Sequence, residues 1–151
     1  MQPETVLRLS THKNIVGIKE ASGNKERSNN LMKLCSANMK IFTGDDKTSA
    51  SDIIDGFSGN ISVTANIAPS DMHQMCKFAS EGNIEMANKL NDKLDILHDS
   101  LFCESNPIPV KWCLQKMGLI KKGIRLPLTW MDSKYDELLN QALIKAGISD
   151  E

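Results

Sequence analysis

The first eighty or so residues repeat one unit three times. A short apolar or β-branched run is followed within a few residues by a helical pattern. The runs are Asn14–Ala21, Met39–Thr43 and Gly59–Asn66. The helical patterns are Asn24–Ser36, a short one through Ala50, Ile53 and Ile54 to Gly56, and one opened by Pro69-Ser70-Asp71 and closed by Gly82. Sequential β-α-β-α-β-α with short linkers demands parallel strands and right-handed crossovers. An earlier helix is expected from Pro3 to Leu9, with Pro3 in its first turn.

The run Ile15-Val16-Gly17-Ile18-Lys19-Glu20-Ala21 carries one cation at its far end and stops at Ser22-Gly23. It reads as a buried parallel strand ended by a turn. Strand alternation puts Ile15, Gly17, Lys19 and Ala21 on one face, and Val16, Ile18 and Glu20 on the other. An amine is therefore aimed from the carboxyl end of a strand, where open sheets and barrels meet their substrates. The plain alternative is a lysine snorkelling from a strand end into water. Gly44-Asp45-Asp46 follows the second run, and Thr64-Ala65-Asn66 ends the third, both on the same rim as Lys19. Gly44 is expected to supply an unusual backbone angle, and an Asp beside it to cap a helix.

The pattern changes after Gly82. Ile84, Ala87, Leu90, Leu94, Leu97 and Leu101 form a helical stripe that reads as core packing. Asn106-Pro107 is expected to open another helix, with Asn as cap and Pro at the first position. An extended loop covers Lys121–Trp130. A last helix from about Ser133 to Ala146 turns Leu138, Leu139, Ala142 and Leu143 inward and carries Tyr135. The domain reading is thus residues 1–82 as a strand–helix unit, with strands near 14–21, 39–43 and 59–65, and residues 83–151 as an all-helical domain.

Charge and composition exclude several classes. The formal charge is −1, with 40% apolar and 25% charged residues, and there is no basic stripe or aromatic-rich sheet for nucleic acid. No apolar run is long enough to span a bilayer. The N-terminus lacks the pattern of a signal peptide, so a cytoplasmic protein is expected. Cys35, Cys76, Cys103 and Cys113 form no C-x-x-C pair and read as free thiols. His12, His73 and His98 lack ligand spacing, so no metal is assigned. No G-x-G-x-x-G or Walker pattern supports a nucleotide.

Three segments together carry a family resemblance: Asn14-Ile-Val-Gly-Ile-Lys-Glu-Ala-Ser-Gly23; Thr43-Gly-Asp-Asp46 with Gly59-Asn-Ile-Ser-Val-Thr-Ala-Asn66; and Asn106-Pro-Ile-Pro-Val-Lys-Trp112. The sequence resembles the dihydrodipicolinate synthase family over essentially its whole length. The resemblance implies the last three strand–helix units of a (β/α)8 barrel followed by a helical C-terminal domain. It implies an aldolase-type lyase that joins pyruvate to aspartate semialdehyde in lysine biosynthesis through a lysine imine, with no other cofactor. By the same resemblance Lys19 is the catalytic amine, Ile61 binds pyruvate through its backbone, and Gly44, Asp45 and Asp46 lie at the entrance, with Gly44 and Asp45 as contacts to substrate. Asn106 and Pro107 fall where the helical domain meets the barrel. Gly17 is expected to leave room for the keto acid, and Glu20 to be structural.

A whole barrel needs roughly 250 residues. Met1 falls by resemblance inside the family's fifth helix, and the family's proton-relay hydroxyls, substrate arginine and lysine-feedback site would precede it. Tyr135 does not take the relay role. The expectation is a chain inactive alone, completed by a homo-oligomer or by a front-half polypeptide that covers its open strand edges. Two alternatives stand beside it: a related pyruvate lyase acting on N-acetylneuraminate or a keto-sugar acid, and a non-catalytic product that self-associates.

Overall fold

The computed structural model describes residues 1–149. Its elements in order are α1 (Pro3–Ser10), β1 (Gly17–Glu20), α2 (Lys25–Cys35), β2 (Lys40–Thr43), α3 (Ser49–Ile54), α4 (Pro69–Ser80), α5 (Ile84–Ser100), α6 (Ile108–Lys116) and α7 (Asp136–Lys145). Short 3₁₀ turns occupy Thr64–Asn66 and Ser133–Tyr135. The chain separates into two compact units, each discontinuous in sequence. One comprises Met1–Ser62 with Cys76–Ala87; the other comprises Val63–Met75 with the described residues from Asn88 on. Gly82 therefore lies within the first unit.

The first unit is built on β1 and β2, paired in parallel with Ile18 opposite Ile41 and Lys19 opposite Phe42. Within β1 alternation puts Gly17 and Lys19 on one face and Ile18 and Glu20 on the other, as the sequence predicts, but Val16, expected beside Ile18, precedes the strand and is 75% exposed. Ile41 is buried and Ile18 packs against the same cluster, which includes Val6, Leu31, Cys35 and Ile53 from the surrounding helices and Phe57 from the segment after α3. Each such aliphatic or aromatic side chain contributes about 1.5–3 kcal/mol of burial. Ile15 lies ahead of the strand and packs into this cluster too, so it does not share the Lys19 face. Asn24 caps α2, its side chain accepting from the Arg27 N–H.

The expected third strand at 59–65 is not one. Only a single parallel bridge, Thr43 with Asn60, continues the sheet. It is held by the Thr43 N–H to the Gly59 carbonyl at 3.0 Å and the Ile61 N–H to the Thr43 carbonyl at 2.9 Å. Gly59 has φ of +149°, a left-handed value that breaks the extended run on one side. On the other, Val63 already has helical angles and Thr64–Asn66 coils into the 3₁₀ turn. The β-branched composition of Ile61-Ser62-Val63-Thr64 is thus overridden by backbone geometry at both ends.

In the second unit α6 packs on α7 and on the 3₁₀ turn at Thr64–Asn66. Leu94, Leu97, Leu101, Trp112, Cys113, Leu139, Ala142 and Leu143 are buried, while Leu138, expected inward, is 41% exposed. Buried Thr64 and His98 share a hydrogen bond, Oγ1 to Nδ1 at 2.8 Å. Helix α6 begins one residue later than expected. Pro107, not Asn106, is its cap residue, because the Ser105 carbonyl accepts from the Ile108 N–H at 2.9 Å and closes a turn first. Pro109 then occupies the first turn, where its missing N–H costs nothing. Tyr135 ends a 3₁₀ turn and precedes α7 rather than lying within it.

Candidate active site

Lys19 stands near the carboxyl end of β1, on the face opposite the helix-packed Ile18 and Glu20. The described residues do not enclose it, and Lys19 is exposed. The glycines near it have a physical reason. A Cβ built on Gly44 would run into the Lys19 Cε and stand 2.7 Å from the Ala21 Cβ and 3.0 Å from the Lys19 Cγ. The lysine stem therefore lies in the space that a side chain at residue 44 would fill. Gly44 is absent from the glycines with left-handed φ, so close approach, not an unusual backbone angle, is what its lack of a side chain permits. Its N–H continues the ladder to the Glu20 carbonyl at 2.7 Å.

Gly17 has a different occupant from the one expected. A Cβ there would meet the Lys40 carbonyl oxygen at 2.9 Å and the Phe42 ring at 3.2 Å. A Cβ on Gly59 would reach the same ring at 3.6 Å. Phe42, register partner of Lys19, lays its ring against both glycines. The room beside Gly17 is taken by Phe42 rather than left open for a substrate.

The other expected site residues gather on the same rim. Ile61 is 48% exposed and its N–H is committed to Thr43, so its carbonyl is the main-chain group it can offer. Asp45 is half-buried, and its Oδ1 accepts from the Lys47 N–H at 3.1 Å, a local turn rather than a helix cap. Thr48 holds the cap position of α3. Asp46 is buried, with Oδ1 accepting from the Asn60 amide at 2.8 Å, which ties the second β–α turn to the bridge segment. Asn106 and Pro107 belong to the second unit and carry no chemistry of their own here.

Beneath this rim is a buried polar layer that the sequence reading largely missed. Glu20 is 6% exposed and receives Arg27 Nε at 2.7 Å and the Ser22 N–H at 2.8 Å. Burial alone would raise its carboxyl, but hydrogen bonds from Ser22 and the Arg27 guanidinium outweigh that and hold it below the usual carboxylate value. Asp52 accepts from the hydroxyls of Thr43 and Thr48, each at 2.8 Å, and from Lys25 at 3.4 Å. These contacts fix the ends of β1 and β2 against α2 and α3. Among the described residues no His, Cys, Asp or Glu cluster could hold a metal ion, and no helix is long and apolar enough to cross a membrane.

This rim can be compared with known proteins. The family model for the dihydrodipicolinate synthetase family matches residues 1–146. The 4-hydroxy-tetrahydrodipicolinate synthase of Pseudomonas putida is 51% identical over 148 residues, which is 98% of this chain and 51% of that protein. The corresponding enzyme of Thioalkalivibrio sulfidiphilus is 46% identical over 149 residues. Among solved structures, the chloride-inhibited dihydrodipicolinate synthase of Acinetobacter baumannii, complexed with pyruvate, superposes with a TM-score of 0.95 at 48% identity, covering 98% of this chain and 51% of that one. A monomeric dihydrodipicolinate synthase variant superposes at 0.91 with 36% identity, covering 97% of this chain and 50% of that one. The chain spans about half the length of the curated relatives it matches. With the match running through α1, both strands and the helices that follow, at identities far above chance for a shared fold, the chain belongs to the dihydrodipicolinate synthetase family.

Proposed function

We propose that this chain supplies the imine-forming lysine of a 4-hydroxy-tetrahydrodipicolinate synthase, condensing pyruvate with aspartate semialdehyde, and that the remaining half of the barrel completes it. The observation that carries the reading is Lys19 at the carboxyl end of β1, its stem seated against Gly44 and Ala21 with Ile61 on the same rim. In this reading residues 1–82 are the last strand–helix units of a (β/α)8 barrel, and residues 83–151 the helical domain.

The chemistry balances with lysine alone as the covalent group. The neutral amine attacks the ketone carbon of pyruvate, and the carbinolamine loses water to give a protonated imine. That cation is an electron sink. A methyl proton leaves to give an enamine, whose carbon attacks the aldehyde carbon of the second substrate. The aldehyde oxygen takes up a proton, and the amino group of the second substrate then attacks the imine carbon and displaces the lysine, which closes the ring and returns the amine. The Ile61 carbonyl contacts the bound keto acid, and Gly44 with Asp45 borders the second substrate's approach. No cofactor beyond the imine is required.

The outer edge of β1 supports the need for a second piece. Parallel pairing uses the Val16 and Glu20 carbonyls toward β2, so the main-chain groups of Gly17 and Lys19 face away. We assign that edge to a further strand, supplied by the same polypeptide or by a second one. Closure there would also shield the Lys19 amine, which must lose its proton to react.

The test is pyruvate with borohydride followed by mass spectrometry. It is run on the chain alone and on the chain co-expressed with the preceding half of the Pseudomonas putida relative. A reduced pyruvyl adduct on the Lys19 peptide, absent from Lys19→Ala, is the expected result. No adduct in either preparation, or an adduct that survives Lys19→Ala, overturns the reading.

A further inference from the structure

We infer that Gly44 is a positioning residue for the nucleophile: its missing side chain is the slot that holds the Lys19 stem. The inference rests on the function proposed above and goes beyond it by naming what aims the amine. Three facts meet at one point. A Cβ on Gly44 would clash with the Lys19 Cε, with the Lys19 Cγ 3.0 Å away and the Ala21 Cβ 2.7 Å away. Gly44 does not need to be glycine for its backbone, because its φ is not left-handed. Nor does its N–H depend on residue type, since any residue but proline would donate to the Glu20 carbonyl.

What remains as the reason for glycine is steric. The alternatives for an exposed lysine are many, since four rotatable bonds give a wide set of staggered conformers. Backbone at residue 44 and the methyl of Ala21 lie near the stem, and Phe42, opposite Lys19 in register, holds its ring beside Gly17. A methyl at residue 44 would press on the Ala21 Cβ, one residue past the end of β1, which can give only with the backbone, and on the Lys19 stem, which can swing away. The flexible partner must leave, and that partner is the lysine. Residue 44 thus selects the Lys19 conformer by the space it leaves, whatever contact its backbone makes with substrate.

The experiment compares wild type, Gly44→Ala and Lys19→Ala by two readouts. The first is the rate of pyruvate trapping by borohydride as a function of pyruvate concentration. Misplacing a reacting group by about 1 Å costs on the order of a hundredfold, so the limiting rate in Gly44→Ala should fall by roughly that factor while half-saturation by pyruvate changes little. The second is the ¹³C shifts of the Lys19 Cγ and Cε, assigned by their loss in Lys19→Ala, which report the stem's rotamers. They should move in Gly44→Ala while circular dichroism stays native.

A folded Gly44→Ala with unchanged Lys19 carbon shifts, or with the wild-type limiting trapping rate, overturns the inference. Should wild type trap no pyruvate, the proposed function fails by itself, and the carbon shifts alone decide whether Gly44 sets the lysine. Should Gly44→Ala not fold, the double variant Gly44→Ala/Ala21→Gly removes the methyl–methyl clash and leaves only the lysine to be displaced. The same shifts must then move, and their constancy rejects the assignment.

Discussion

Arg27 Nε donates to the Glu20 Oε2 at 2.7 Å, and this pair ties the first helix after β1 back to the strand that carries Lys19. Glu20 is on the helix-facing side of the strand and its side chain is 5% exposed; that of Arg27 is 22% exposed. Removing the cation leaves a buried carboxylate with fewer donors. Breaking a buried pair costs about 3–5 kcal/mol, and the partial exposure of Arg27 reduces this to about 2–3 kcal/mol for Arg27→Ala. Urea unfolding should show the midpoint falling with an unchanged slope.

The same carboxyl predicts an acid dependence. Burial works against it, but Ser22 and Arg27 prevail and hold its folded value below the ordinary one. A depressed folded value means that the contribution is complete above the unfolded value of about 4.3 and is lost as pH falls through the folded one. The stability difference between wild type and Glu20→Gln should therefore be constant above about pH 5 and shrink below about pH 4. Thermal melts of both across that range measure it; a difference that grows on acidification contradicts the assignment.

Thr43 and Asp52 make a second such link, between β2 and α3. Thr43 is 1% exposed and its hydroxyl donates to the Asp52 Oδ2 at 2.8 Å. Thr43→Val keeps the shape and removes the donor, leaving Asp52 to Thr48 and Lys25. The loss is about 1–3 kcal/mol, the cost of a buried polar group deprived of a partner. Lys25→Ala touches the same carboxylate from a half-exposed position and should cost less than about 1 kcal/mol. Reversal of that order would show that the ion pair, rather than the hydroxyl, holds Asp52.

Much of the strand–helix order was legible because it rests on periodicity. β1 and β2 lie inside the runs predicted for them, and α2 lies inside the helical pattern Asn24–Ser36, with Asn24 outside it as cap. What was not legible depends on neighbours distant in sequence or on backbone angles. Nothing in Ile61-Ser62-Val63-Thr64 announces that Gly59 turns the chain before it and a 3₁₀ turn follows. Gly44 looked like a turn glycine because a Gly-Asp pair after a strand usually is one. Its actual constraint comes from Lys19 and Ala21, more than twenty residues earlier. Gly17 failed in the opposite sense: its empty face is visible in the sequence, but the ring that fills it belongs to Phe42. Placing Lys19 on a strand end was within reach of alternation alone, whereas the covering of its amine was not.

Leu138 and Leu97 convert one of these differences into numbers. Both were expected inward. Leu97 is fully buried in α5, and Leu138 is 41% exposed on α7. Leu97→Ala should cost about 2–5 kcal/mol through lost transfer energy and the cavity left behind. Leu138→Ala should stay within about 0.5 kcal/mol of wild type. Equal losses in urea titrations would place Leu138 back in the core.

Cys113 gives the alkaline counterpart of Glu20. It is fully buried, and its thiol is pushed up to about 12, first by burial and then by the nearby Cys103. A thiolate is the reactive form, so alkylation at pH 8 should leave Cys113 unmodified in the native chain and reach it only through unfolding. Cys35, also buried and raised by burial, should behave alike. The linkage runs opposite to that of the carboxyl. With the folded value above the unfolded one of about 8.5, the chain is most stable with the thiol protonated, and that advantage declines as pH rises beyond about 8.5. Cys113→Ala creates a small cavity but removes the share of this slope that Cys113 contributes. Melts from pH 7 to 10.5 should therefore show wild type losing stability faster than Cys113→Ala, and mass-mapped alkylation should show Cys113 appearing only as urea approaches the unfolding midpoint. Labelling of Cys113 at native-state rates comparable to a free thiol would place it at the surface and remove the slope with it.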